Sequence, residues 1–246
     1  MPLGEEFERS GAWLFRRRSY VPPLLLTGLA AAATQRPGRD DIPGLEPALV
    51  LSGMAVAVIG LVIRALVVGF APEGTSGKNR GSQLAASLTT TGLYSVVRHP
   101  LYLGNLFLWL GPALAAQTWW GVIIVALAFI LYYERIMYTE EVFLRRTFGA
   151  EYLAWATATP AIIPAFPRWR KPALSFSLPT VLRQEYYALF STTLMFVLLE
   201  SATVLLESGR VSLSRPWLVF GIVVTAISGT LRLLQRHTRI LDVPGR

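Results

Sequence analysis

The chain has 246 residues, 53% of them hydrophobic, with no cysteine, two histidines and a formal net charge of +8; its mean hydropathy is +0.46. The absence of cysteine excludes disulfides, thiolate metal sites and cysteine nucleophiles, and so few histidines make a metal site an unwarranted expectation. The apolar residues come in long runs rather than in alternation, so the chain reads as an all-α, polytopic membrane helical bundle; its basic residues flank those runs, which points to anionic lipid headgroups and not to nucleic acid.

Residues 1–19 mix Glu5, Glu6 and Glu8 with Trp13, Phe15 and the triplet Arg16-Arg17-Arg18, a pattern that suits a short amphipathic lead-in. The triplet precedes an apolar run as in a secretory signal, but Thr34-Gln35-Arg36-Pro37 offers no small-residue cleavage site, so an uncleaved first span is expected over about Tyr20 to Thr34. A second span follows a polar loop, from about Pro47 to Phe70, and is interrupted only by Arg64. That arginine either snorkels to the interface or contacts a carboxylate or phosphate of a cofactor or substrate. The next loop, Gly74 to Arg80 with Lys78, is too rich in glycine and serine for a helix; it either cradles phosphate through its backbone or is simply solvated.

The stretch Tyr94 to Asn105 organises the rest. Pro100 biases His99 toward an extended conformation and suits the first position of a helix, so a loop ending at Arg98-His99 is expected to meet a third span over about Pro100 to Ala116. The unpaired N–H groups of that first turn, with Arg98 beside them, form an electropositive corner for an anion. A fourth span, about Trp119 to Tyr133, completes a hairpin turning at Gln117, with Trp109, Trp119 and Trp120 suited to an interface belt. Its extension, Glu134 to Trp155, places Glu134, Tyr138, Glu141 and Arg145 on one face at about 100° per residue, with Glu140 on a neighbouring face. Alone it reads as a solvated helix with a Glu141–Arg145 pair; the hairpin returns it to Arg98 and His99. Phe166 to Pro172 is a basic, aromatic linker suited to the headgroup layer, and two further spans, Ala188 to about Leu206 and Trp217 to about Leu233, close the chain. Glu200 sits in the fifth of these about six spans, facing the bundle or reaching outer water. Loop charges place the N-terminus, Arg98, the segment from Arg135 to Arg183 and Arg232, Arg236 and Arg239 on the cytoplasmic side.

Arg98-His99-Pro100-x-Tyr102-x-Gly104, the doublet Glu140-Glu141, Phe148-Gly149-x-x-Tyr152 with Trp155 after it, and Ile163-Pro164 together resemble the integral membrane methyltransferases typified by isoprenylcysteine carboxyl methyltransferase and the phospholipid methyltransferases. The match covers roughly residues 90–165 and divides the chain into N-terminal spans with the glycine-rich loop (1–89), a methyltransferase core (90–165) and C-terminal spans (166–246). The resemblance implies S-adenosyl-L-methionine as cofactor, surrounded by His99, Pro100, Tyr102, Glu140 and Glu141; Gly104 and Tyr138 are expected to join them in holding it, and Arg98, which would orient the acceptor, and Glu141 are the expected catalytic residues. The loop ahead of the motif is similar to that of a bacterial branch that includes a lipid A phosphate methyltransferase. Lys78, Arg80, Asn105 and Arg183 are then the expected substrate contacts, an anionic lipid phosphate is favoured over an isoprenylcysteine-like carboxylate, and the expected location is a bacterial inner membrane with the site facing the cytoplasm. No obligate protein partner is implied. Sterol-type reductases using NADPH resemble the same core but typically carry Asn where Leu101 stands here, and a non-enzymatic lipid-binding protein on a degenerate core is the other competing class.

Overall fold

A computed structural model describes residues 2–17, 45–72 and 87–246, together with Gly28. The expected first span and the glycine-rich loop with Lys78 and Arg80 lie outside these residues. Among the described residues are six α-helices: α1 (Leu3–Arg16), α2 (Leu45–Phe70), α3 (Pro100–Ala115), α4 (Trp119–Ala158), α5 (Leu178–Ser208) and α6 (Arg215–His237), with 3-10 turns at Leu93–Ser95 and Phe166–Arg168. Helices α2 (from Pro47), α4, α5 (to Leu206) and α6 are long and apolar enough to cross a membrane. Helix α3, with 16 residues, is shorter than a usual span, so the described residues carry four candidate spans where about six were expected for the whole chain.

α2 and α3 form the most extensive helix pair, and glycine is the reason. Gly53 and Gly60 of α2 face Gly111 and Gly104 of α3: a Cβ on Gly60 would stand 2.7 Å from the Gly104 carbonyl oxygen, and one on Gly111 2.7 Å from that of Gly53. In lipid, where tails are as apolar as leucine, such backbone approach replaces the hydrophobic drive that water would supply.

The turn between α3 and α4 runs through Gln117 at φ 60°. The two helices then meet through an aromatic cluster in which Phe129 stacks on Tyr133 at 4.2 Å and Trp109 meets Phe129 edge-on at 5.2 Å. Trp109 is therefore core and not interface belt, a correction that follows from its facing α4; Trp119, at the start of α4, is 71% exposed.

Helix α4 outruns α3, so its second half projects past the start of α3. There α1 lies against it, with Glu5 and Glu6 in its first turn and Arg16 in its last, matching the helix dipole. Gly11 fits so tightly against the Arg135 carbonyl and Thr139 that no side chain has room, and Arg146 donates to both carboxylate oxygens of Glu8 at 2.6 and 3.1 Å. The expected continuous helix to Trp155 is broken: Gly149 adopts φ 54°, ψ −120°, a conformation that side chains resist.

Helix α5 begins ten residues earlier than hydropathy suggests, at Leu178. Ser177 caps it, its hydroxyl accepting from the Thr180 N–H at 3.4 Å, and its polar first turns find partners inside the protein. The Ser177 N–H donates to the Gly69 carbonyl at 2.9 Å, which brings the start of α5 to the end of α2. The residues after α6 return to the same end, where Arg183 donates to Asp242 at 3.0 Å and Arg246 to the Gly69 carbonyl at 2.7 Å.

Candidate active site

His99 is the residue immediately before α3, with φ −120° and ψ 60°, and Pro100 is the first residue of the helix. The segment leading to it is held by a strap, residues 159–170, that supplies the hydrogen bonds a loop lacks. The Arg98 N–H donates to the Pro160 carbonyl at 2.8 Å, the His99 N–H to Ala161 at 3.2 Å, and the Ala165 N–H to Val96 at 2.8 Å. Trp155 closes the arrangement, its indole N–H donating to the Tyr94 carbonyl at 3.0 Å. The break at Gly149 allows this, because it redirects the last turns of α4 back over the 92–99 segment.

With its backbone fixed, the imidazole is 4% exposed and lies between two carboxylates: Nε2 donates to Glu141 Oε1 at 2.9 Å and Nδ1 is 3.5 Å from Glu140 Oε2. Both helix faces assigned to these glutamates thus converge on one ring. Burial opposes the charged form of His99, but hydrogen bonds and charge from Glu140 and Glu141 outweigh it, and the His99 pKa is raised. An imidazolium has an N–H for each carboxylate, which a neutral ring does not.

Arg98 adds a second cation. Its Nε is 2.9 Å from Glu141 Oε1, at an angle that makes no hydrogen bond, while Nη1 donates to the Ala156 carbonyl at 2.7 Å. Tyr102 stacks on His99 with ring centres 5.6 Å apart, and Tyr152 brings its buried hydroxyl beside the Glu141 carboxylate. Burial and the nearby Glu140 push the Tyr94 phenol pKa up, so it stays neutral. The result is a half-buried cluster of an arginine, a histidine, two carboxylates and an aromatic ring.

Deeper along α3 lies a second polar cluster that the sequence only half announces. Arg64 donates from Nε to Glu185 Oε2 at 2.7 Å and from Nη2 to Oε1 at 3.1 Å, and from Nη1 to the Asn105 side-chain oxygen. Asn105 in turn donates to the Tyr133 hydroxyl at 2.9 Å, and Tyr133 packs on Tyr102 at 4.9 Å. Arg64 therefore does not reach water as a snorkelling side chain; it joins α2, α3 and α5. Glu185 carried no sequence signal, because its partner is 121 residues away.

The structure thus gathers Arg98, His99, Pro100, Tyr102, Glu140 and Glu141. Gly104 faces Arg64 and Gly60 of α2, and Tyr138 packs edge-on against Phe7 at 5.9 Å. Asn105 belongs to the Arg64 cluster, and Arg183 is engaged by Asp242 and the Arg246 carbonyl.

The phospholipid methyltransferase family matches residues 49–151. A cobalt-zinc-cadmium resistance protein, CzcN of Cupriavidus metallidurans, is 31% identical over 161 residues, 64% of this chain and 68% of that protein. A nickel-cobalt-cadmium resistance protein, NccN of Alcaligenes xylosoxydans xylosoxydans, is 32% identical over 48% of this chain and 49% of its own length. The protein-S-isoprenylcysteine O-methyltransferase of Schizosaccharomyces pombe is 32% identical over 32% of this chain and 34% of its own. No solved structure shows significant similarity. The matched segment contains α3, the Arg98-His99 corner and the glutamate doublet, and the chain belongs to the phospholipid methyltransferase family of membrane methyltransferases.

Proposed function

We propose that the protein transfers a methyl group from S-adenosyl-L-methionine to an anionic membrane lipid, with a lipid phosphate such as that of lipid A favoured over an isoprenylcysteine-like carboxylate. The observation that carries this reading is the junction of Arg98, His99, Glu140 and Glu141 at the start of α3. The donor set fits the cofactor. Glu140 and Glu141, 29% and 28% exposed, suit its ammonium and ribose hydroxyls; the N–H groups opening α3 suit its carboxylate; Tyr102 on His99 offers an aromatic wall for adenine. When bound, the cofactor supplies a methyl carbon activated by a sulfonium.

An acceptor that is already an anion needs no general base, so the residues contribute alignment and exclusion of water. Arg98, held by the Ala156 carbonyl, orients the acceptor without neutralising it fully, because Glu141 already shares its charge. His99 keeps the two carboxylates from repelling one another. The basic residues at this end, among them Arg98, Arg168, Arg170, Arg232 and Arg236, favour the cytoplasmic side of a bacterial inner membrane. Two relatives carry metal-resistance names, while among the described residues of this chain no group of three or more histidine, aspartate or glutamate side chains is placed to hold a metal ion.

Membranes containing the protein, incubated with radiolabelled methyl donor and then extracted, should yield a labelled lipid, and His99→Ala and Glu141→Gln should fold but lose saturable cofactor binding. Saturable NADPH binding with no response to S-adenosyl-L-methionine would replace the reading with a reductase. Parental cofactor affinity in both variants would remove the assigned site.

A further inference from the structure

The strap that fixes Arg98 and His99 also builds a pocket on its own far side. The Gly92 N–H donates to the Arg170 carbonyl at 2.9 Å, and the Arg170 N–H donates to Ser95 Oγ at 2.9 Å. These two bonds lock residues 168–170 beside the last turns of α4, and between them lies a pocket of about 510 Å3. Arg168, Arg170 and Glu151 line it, together with Thr90, Thr159 and Trp155.

Its charge is unbalanced. Two arginines line it with one glutamate, and neither arginine has a carboxylate partner among the described residues, whereas Arg64, Arg98, Arg146 and Arg183 each have one. Of the carbonyls ending α4, which would oppose an anion, that of Ala156 accepts from the Arg98 side chain, and just beyond the helix that of Pro160 accepts from the Arg98 N–H. Alongside the arginines, Ile163, Phe166 and Trp169 are 81%, 68% and 52% exposed. Apolar and aromatic side chains interleaved with cations in this way match the headgroup layer of a bilayer. A guanidinium pair binds phosphate oxygens through directed, charge-assisted N–H donors.

We propose that this pocket holds the phosphate of a membrane lipid headgroup, with Arg168 and Arg170 as donors and Phe166 and Trp169 seated among the adjoining glycerol and acyl groups. The site is separate from the carboxylate cluster at His99 and does not require that the bound lipid be the methyl acceptor, so it stands or falls apart from the transferase reading.

The test uses the full chain in detergent, titrated with phosphatidic acid and, in parallel, with diacylglycerol of the same acyl chains, bound lipid being counted by native mass spectrometry. Phosphatidic acid should bind saturably and at least roughly tenfold more tightly than diacylglycerol. The double variant Arg168→Gln/Arg170→Gln should abolish that preference, Glu151→Gln should strengthen it, and Arg210→Gln/Arg215→Gln, which removes the same charge at the other end of the bundle, should leave it unchanged. Equal retention of the two lipids, or parental affinity in the Arg168/Arg170 variant, overturns the proposal. Inorganic phosphate that binds as tightly as phosphatidic acid and depends on the same arginines assigns a soluble phosphate site instead and overturns the lipid source. Unchanged cofactor binding in the double variant separates this result from the fate of the His99 site.

Discussion

Replacing Glu185 with leucine tests the link between the family core and α5. The carboxylate is 7% exposed and receives both Nε–H and Nη2–H of Arg64, itself 16% exposed. Arg64 lies six residues before Phe70, about 9 Å along the helix at 1.5 Å per residue, so its charge cannot easily retreat to water. Removing one partner of such a pair strands the other, at a cost of about 3–5 kcal/mol, while replacing both by apolar residues of similar volume removes the stranded charge. Asn105 still accepts one N–H of Arg64 but supplies no countercharge. Glu185→Leu and Arg64→Met should each lower the thermal midpoint of the detergent-solubilised protein by roughly 6–20 °C, whereas the double variant should sit much closer to the parent. Thermal unfolding followed by tryptophan fluorescence measures all four proteins. Additive losses, within about 0.5 kcal/mol, would show that the two side chains do not act as a pair and would refute the reasoning.

Gly149→Ala meets no steric obstacle, since nothing lies within 4 Å of the added carbon, so its cost of about 1–3 kcal/mol is purely conformational. It should weaken cofactor binding as well, because Tyr152 and Trp155 depend on the bend; a variant equal to the parent in midpoint and affinity would contradict this. Gly60→Ala should cost about 1–3 kcal/mol by pushing α2 off the Gly104 carbonyl, seen as a lower midpoint with a normal one for an alanine at Gly229, which faces open space. The raised pKa of His99 carries a defined sign. Its protonated form is favoured in the folded state, so the stability it contributes is present below about pH 6.5 and is lost as pH rises through the higher folded value. Midpoints measured across that window should fall with pH in the parent and stay flatter in His99→Gln; parallel profiles would count against the imidazolium.

The local grammar of this chain determined a good deal. Pro100 after His99 sets where α3 starts, apolar runs set most of α2 and the first half of α4, and the Arg98-His99 corner with the Glu140-Glu141 doublet marks the two halves of the candidate site, because each of these depends on neighbours in sequence. What only the tertiary structure decided are the pairings across it. Arg64 looks like an isolated interruption of hydropathy, and Glu185 carries no signal at all ahead of the expected span, until α2 and α5 bring them to 2.7 Å; Trp109 looks like a belt residue until α4 covers it; and Gly149, which reads as one more helical position, takes a conformation that matters only because Tyr94 and Arg98 wait where the chain turns back. A charge or a bend in lipid is tolerated only if a distant partner satisfies it, and the identity of that partner is a property of how helices pack and not of the order in which residues are joined.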